Sequence, residues 1–246
     1  MKVVVIGGIG LVGSRLAGTL RQGGHDVVAS SPSSGVNPFS GDGLPEVMEN
    51  ADVVVDLGNP PSFDGEAPRN YFFVSGHNLL AAKIAAGVRH HVVLSDVGTD
   101  RMQDSGYFRA KHLQEQIVRA SGMPYTILRS TQLFESMEGM AGSNIETRIV
   151  RLSSALAQPL AADDVAEMLA QLCVRAPLNE IVELAGPEVF RISDIVERIL
   201  ARKFDDRLVV ADDNVRFLGV KLQERSLIPD PSHRIAPTRL DTWLSA

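Results

Sequence analysis

Gly106-Tyr107-Phe108-Arg109-Ala110-Lys111 sets a phenol and an ammonium four residues apart, the spacing that puts two side chains on one face of a helix. A free tyrosine ionises near pH ~10, so alone it is a poor acid or base at neutrality. A neighbouring ammonium favours the phenolate and lowers that value. Upstream, Ser95 closes the apolar run Val92–Ser95, and a hydroxyl at a strand end could hold an oxygen as charge develops on it. The chemistry that suits these three is carbonyl reduction or its reverse, with Tyr107 as acid/base, Lys111 tuning it and Ser95 polarising the acceptor. On an arbitrary helix the same pair is a half-buried aromatic and a solvated lysine. Glu115, one turn beyond Lys111, could absorb that lysine in a surface pair worth only ~0.3–0.5 kcal/mol. The order along the chain favours the catalytic reading: a glycine turn, then Ser95, then Tyr107 and Lys111.

That glycine turn is Gly7-Gly8-Ile9-Gly10-Leu11-Val12-Gly13, after the β-branched run Val3–Ile6 and before a helical pattern. Gly8, Gly10 and Gly13 fit G-x-G-x-x-G; Gly7, Gly10 and Gly13 fit G-x-x-G-x-x-G. Such glycines permit a tight turn, a close approach of backbone amides to a pyrophosphate, and close helix–strand packing. The helix opening adds free N–H groups and a positive dipole end. A dinucleotide is the expected ligand. NAD sites usually carry an acid about 20 residues on, at the end of the second strand. Here Ser30, Ser31, Ser33 and Ser34 stand there, and Asp26 is at the wrong end. Hydroxyls can donate to a 2′-phosphate and no carboxylate repels it, so NADP(H) is favoured and NAD(H) is the alternative. The usual local Arg or Lys is missing, although Arg15 could approach from the helix, and the serines equally suit a plain loop.

These residues resemble the short-chain dehydrogenase/reductase superfamily, and within it the atypical, NmrA-like NAD(P)-binding branch. The resemblance rests on Gly7–Gly13, Gly87–Ser95, Gly106–Lys111 and Ser121–Arg129, with Pro159–Ala166 similar to a later segment in which an acidic pair opens a helix. It implies catalytic roles for Ser95, Tyr107 and Lys111, with Lys111 also binding the ribose. It further implies that Asp42, at the end of a third strand, touches the adenine and that Leu57, Gly58 and Asn59 flank the adenosine. Many members of this branch lack the tyrosine, whereas this chain has it. Many relatives have a proline after the arginine matching Arg129, whereas this chain has Ser130.

The elements that must position these groups alternate strand and helix from the start, as in a parallel sheet with crossover helices. Strands are expected at Lys2–Ile6, Asp26–Ala29, Asp52–Leu57, Val92–Ser95, Tyr125–Leu128, 146–152 and Ile181–Leu184, with a stunted one at Val36–Ser40 that Pro38 would confine to an edge. Helices are expected at Leu11–Gln22, Pro45–Asn50, Asn70–Ala86, Ser105–Ser121, Ala162–Val174, Ile192–Arg202 and Thr238–Leu244. Asp163-Asp164 would cap the fifth of these and Ser193 or Asp194 the sixth. The expected architecture is a Rossmann-type doubly wound α/β domain. Its core would be roughly 1–130 plus 147–186, with a small interleaved substrate-side part at 131–146 and 187–246.

The remaining features are bland. With 44% hydrophobic and 22% charged residues, the 246-residue chain has an ordinary globular balance. A net charge of −6 speaks against a nucleic-acid partner, and no apolar run approaches the length of a membrane span. The opening apolar run reads as a strand and not a signal peptide, so a cytoplasmic location is expected. Cys173 has no disulfide partner and sits in an apolar helical stretch, as a small filler does. His90-His91 point to opposite faces of a strand and chelate poorly, so no metal is expected. His77 and Asn78 could line the cofactor groove but read better as packing or solvent-facing residues, and Phe134, Met137 and Met140 as core or pocket wall. Phe217, Arg234 and Trp243 are available to a small-molecule substrate pocket. The expected function is NADP(H)-dependent hydride transfer to or from a small carbonyl or quinone. The alternatives are a non-catalytic NAD(P)(H)-sensing regulator and an epimerase or isomerase that retains NAD. Oligomeric state is open.

Overall fold

The protein is described by a computed structural model over residues 1–63, 65–142 and 148–246. The chain opens β1 (Lys2–Ile6), α1 (Leu11–Gln22) and β2 (Asp26–Ser30), then a single 3-10 turn at Pro32–Ser34. It continues α2 (Leu44–Met48), β3 (Val53–Asp56), α3 (Ala67–Ala86), β4 (His90–Asp96), α4 (Gly106–Ala120), β5 (Tyr125–Ser130) and α5 (Phe134–Gly139). The second half holds β6 (Ile149–Leu152), β7 (Leu156–Ala157), α6 (Ala162–Cys173), β8 (Ile181–Ala185), β9 (Phe190–Arg191) and α7 (Ile192–Arg202). It ends with β10 (Leu208–Ala211), β11 (Arg216–Phe217), β12 (Val220–Lys221), β13 (Arg234–Ile235) and α8 (Leu240–Ser245).

Seven strands form one parallel sheet in the order β13-β8-β5-β4-β3-β1-β2. The chain leaves β1 for β2 on one side and returns to β3 on the other. That reversal opens a crevice at the carboxyl ends of β1 and β3, where such sheets take their ligands. The doubly wound α/β expectation holds. Both faces are apolar, so the central strands are continuous β-branched runs. Val3, Val5, Val55 and Val92 pack against Leu16, Leu20, Val165 and Leu169 of α1 and α6. Val4, Ile6 and Val54 pack with Leu44, Met48 and Leu79 of α2 and α3.

The second half is interleaved. β13 joins the main sheet, whereas β6 and β7 pair with β10 and β9 in two small sheets built around Phe134, Met137, Ile195 and Ile199. The stretch 149–157 thus sits with the small part, and β13, from the stretch expected to be substrate-side, sits with the core.

Three sequence expectations differ from the structure. Val36–Ser40 is not a strand: Gly35, Gly41 and Gly43 all have positive φ, Pro38 removes a ladder donor, and β2 is left as the sheet edge. Helix α6 is not capped by Asp163 or Asp164, which lie in its first turn; the Ala162 amide donates to Glu135 of α5 instead, at 3.2 Å. Arg191, whose side chain makes no capping bond, is the cap position of α7. Residues 146 and 147 of the expected strand at 146–152 lie outside the described residues. No helix among the described residues is long and apolar enough to cross a membrane. Cys173 is buried, and both histidines are structural: His90 Nε2 lies 3.0 Å from Thr126 Oγ1, and His91 meets Lys83 in the core.

Candidate active site

The glycine turn is shaped by backbone contact. Gly7 has φ +77°, and the Gly10 amide donates to its carbonyl at 3.1 Å. A Cβ on Gly8 would stand 2.7 Å from Ala29 Cα, and one on Gly13 only 2.3 Å from the Gly7 oxygen. A Cβ on Gly10 would meet only the Gly7 oxygen, at 3.3 Å. Gly8 and Gly13 therefore pack turn, strand and helix, while Gly10 keeps the outer side clear. The Leu11, Val12 and Gly13 amides open α1 with no carbonyl one turn back to bind. This cradle fits a pyrophosphate.

Two cavities flank it, each lined by Gly7 and Asn59. The first, about 470 Å³, is bounded by Ser31, Asn37, Phe39, Gly58, Asn70 and Tyr71, a setting for an adenosine. Of the serines, only Ser31 lines it. Ser30 is buried and donates to the Val5 carbonyl at 3.1 Å, pointing into the core. Ser31 exchanges hydrogen bonds with Ser34 across the 3-10 turn and reaches Ser33 Oγ at 2.9 Å. Asp42 is not at this cavity; it is exposed and accepts from Ser40 Oγ at 2.5 Å. The loop that replaces the third strand offers Asn37-Pro38-Phe39 instead. Asn78 of α3 fixes that loop by donating to the Pro38 and Phe39 carbonyls, both at 3.0 Å. Arg15 stays away, paired with Asp163 at 2.9 Å.

The second cavity, about 500 Å³, brings Gly10, Leu11, Val12, Gly13 and Leu57 together with Ser95, Asp96, Tyr107 and Lys111. Its far wall is apolar: Phe63, Phe108, Met137, Met140, Phe217 and Leu218. Phe217 thus joins the pocket, whereas Arg234 lines a separate hollow and Trp243 packs on Phe134.

Tyr107 and Lys111 share the buried face of α4, and Ser105 caps that helix by accepting from the Phe108 amide. Lys111 Nζ donates to the Leu94 carbonyl at 2.7 Å and to Gln114 Oε1 at 2.9 Å, above the Phe72 ring. Gln114 donates in turn to Asp56 Oδ2 at 2.7 Å, and Asp56 Oδ1 accepts from the Gly58 amide at 3.0 Å. Lys111 is thereby tied to the loop at which the two cavities join. Burial lowers its pKa, against the pull of Asp96, Asp56 and Glu115.

Ser95 lines the same cleft, but its hydroxyl is engaged by Glu115 and not by Tyr107. The pleat of β4 puts it, like its register partner Arg129, under α4, where its hydroxyl donates to Glu115 Oε1 at 2.6 Å. Glu115 does not bind Lys111 on the surface; it is buried in a two-pronged pair with Arg129, at 2.7 and 2.8 Å. The residue facing the phenol is Asp96, whose Oδ2 accepts from Tyr107 Oη at 3.0 Å. Burial first, and then Asp96, push the Tyr107 pKa well above its usual value. Burial raises Asp96, with Lys111 and the tyrosine hydrogen bond acting against it. Asp96 is not legible in the sequence, because period-two alternation says that only one of two neighbours can face the tyrosine, not which. Among the described residues no three His, Cys, Asp or Glu side chains converge as metal ligands.

A family model described as NAD(P)H-binding matches residues 7–175, more than half of the chain. No curated protein matches the chain in sequence. In structure the chain is similar to a dTDP-4-dehydrorhamnose reductase from Clostridium acetobutylicum, with 14% identity, a TM-score of 0.73, and coverage of 100% of this chain and 98% of that one. It is similar to the same kind of reductase from Bacillus anthracis in complex with NADP, with 14% identity, a TM-score of 0.67, and coverage of 97% and 91%. A UDP-glucose 4-epimerase from Thermus thermophilus in complex with NAD gives 15% identity, a TM-score of 0.69, and coverage of 86% of each chain. At such identities the likeness is one of fold. The chain belongs to the NAD(P)H-binding family, with the Rossmann-type architecture of the atypical short-chain dehydrogenase/reductases that its motifs resemble.

Proposed function

We propose that this protein is an NADP(H)-dependent oxidoreductase acting on a small, uncharged carbonyl or quinone. The observation that carries the reading is the convergence of Tyr107, Lys111 and the glycine turn on one apolar cleft. A bound nicotinamide supplies or accepts the hydride. The chain's own groups do the rest. The amides of Leu11, Val12 and Gly13 hold the diphosphate, Asn59 stands between the two cavities, and Lys111 serves the nicotinamide-side ribose. Tyr107 gives its hydroxyl proton to the substrate oxygen, and the aromatic and methionine wall excludes water. Among the cleft's described lining residues the only cation is Lys111, which is already engaged, while Asp96 and Glu135 both line it. A charged diphosphate substrate would find no free cation among those residues. What supports NADP(H) over NAD(H) is that the adenosine cavity has no carboxylate among its described lining residues to hold a ribose diol.

The test is NADPH oxidation with menadione as probe acceptor. Tyr107→Phe is expected to lower kcat by about 10²-fold or more while NADPH affinity, read by fluorescence titration, is unchanged. Full turnover in that variant removes Tyr107 from the mechanism. Tighter binding of NADH than of NADPH removes the cofactor assignment.

A further inference from the structure

Resting on the reading of Tyr107 as proton donor, we propose that Asp96 is the second half of the acid, a carboxyl that refills the phenol after each transfer. The case starts from the pleat of β4. It sends Ser95 beneath α4, to Glu115, and leaves Asp96 as the group hydrogen-bonded to Tyr107 inside the cleft. A hydroxyl at that point would simply donate to the substrate oxygen. An ionised carboxylate cannot; it repels charge developing on that oxygen and makes loss of the phenol proton harder. The arrangement serves a reduction only when Asp96 carries a proton.

Its surroundings allow this. The charged and titratable groups facing it are Tyr107, Lys111 and Glu115 of α4 and Arg129 of β5. Arg129 is spent on Glu115 and on Asp100, and Lys111 is divided between the Leu94 carbonyl and Gln114, so neither forms a hydrogen-bonded pair with Asp96. Burial holds the carboxyl above its ordinary range.

The step balances. The carbonyl carbon gains the hydride's two electrons, the π pair moves to oxygen, and that oxygen takes the Tyr107 proton. The Asp96 O–H bond then breaks to restore the phenol, and the carboxylate regains a proton from water. The sum is one carbonyl, one reduced cofactor and one proton giving one alcohol and one oxidised cofactor.

Two measurements test it in the full-length protein. The first needs no substrate: titration of tyrosinate absorbance, with Tyr107→Phe used to subtract the other tyrosines. Asp96→Asn is expected to let Tyr107 ionise at least about one pH unit lower than in wild type. The second is kcat/KM against pH with menadione. The wild type should lose activity as Asp96 deprotonates, roughly tenfold per pH unit. Asp96→Asn should lose that limb and about 10²-fold of the low-pH rate, and Asp96→Glu should restore the limb. Asp96→Ser, which supplies a hydroxyl, should be active without it. An Asp96→Asn protein with the wild-type phenol titration and pH profile, in an enzyme that Tyr107→Phe inactivates, overturns the dyad alone. A wild type that binds NADPH but turns over no acceptor overturns the dyad and the oxidoreductase reading together.

Discussion

Lys83 is 2% exposed, on the inner face of α3 against the His91 imidazole, and burial takes its pKa from 10.5 down to about 7 despite the attraction of Asp56. In the unfolded chain this lysine keeps its proton to about pH 10.5; in the folded protein it loses it near 7. Between those limits the unfolded state binds more protons, so stability rises with pH. Below pH 7 the full cost of burying the ammonium is present, and above 10.5 it is gone. The whole interval corresponds to about 5 kcal/mol, at roughly 1.4 kcal/mol per pH unit. Lys83→Met keeps the length of the side chain and removes the titration. Urea unfolding of both proteins at about pH 7.5 and about pH 9.5 should show the variant's advantage shrinking by about 3 kcal/mol between the two. His91 is held neutral by burial throughout that range, and Cys173 titrates alike in both proteins, so neither enters the difference. A gap between variant and wild type that is constant with pH would refute the argument.

Gly13→Ala places a Cβ against the Gly7 carbonyl and Gly8 Cα; it should cost about 2 kcal/mol of stability and weaken NADPH binding more than tenfold, read by fluorescence. Arg129→Met strands the buried Glu115 carboxylate and should cost about 3–5 kcal/mol in urea unfolding, far more than loss of a surface pair. Burial pushes the Cys173 thiol up to about 12, so a thiol reagent should label it only at the rate of unfolding. Fast labelling of the native protein would contradict that packing.

Legibility in the sequence followed the range of the interaction. The run of β1 and the facing of Tyr107 and Lys111 are local patterns that periodicity places, and the turn Gly7–Gly13 shows in its glycine spacing although Gly8 packs against the distant Ala29. Asp96 was hidden because the face of β4 that meets the phenol depends on where α4 lies, a long-range matter. The same holds for α6, whose first amide is served by Glu135 from another element while the local acids Asp163 and Asp164 bind Arg15 and Thr238. Asp42 was expected at the adenine because a third strand would carry it there. Without that strand, the distant Asn78 shapes the pocket wall.

The absence of that strand has a consequence for how the protein could be altered. Outside the sheet and α3, the adenosine side is bounded by Gly7, by Gly58, Asn59 and Pro61, and by one short surface excursion, Ser31–Phe39, which pairs with no other strand; among the described lining residues the two cavities share Gly7 and Asn59. Exchanging that excursion for one bearing an arginine or an acid should retune cofactor preference as a cassette, leaving the proton chemistry where it stands.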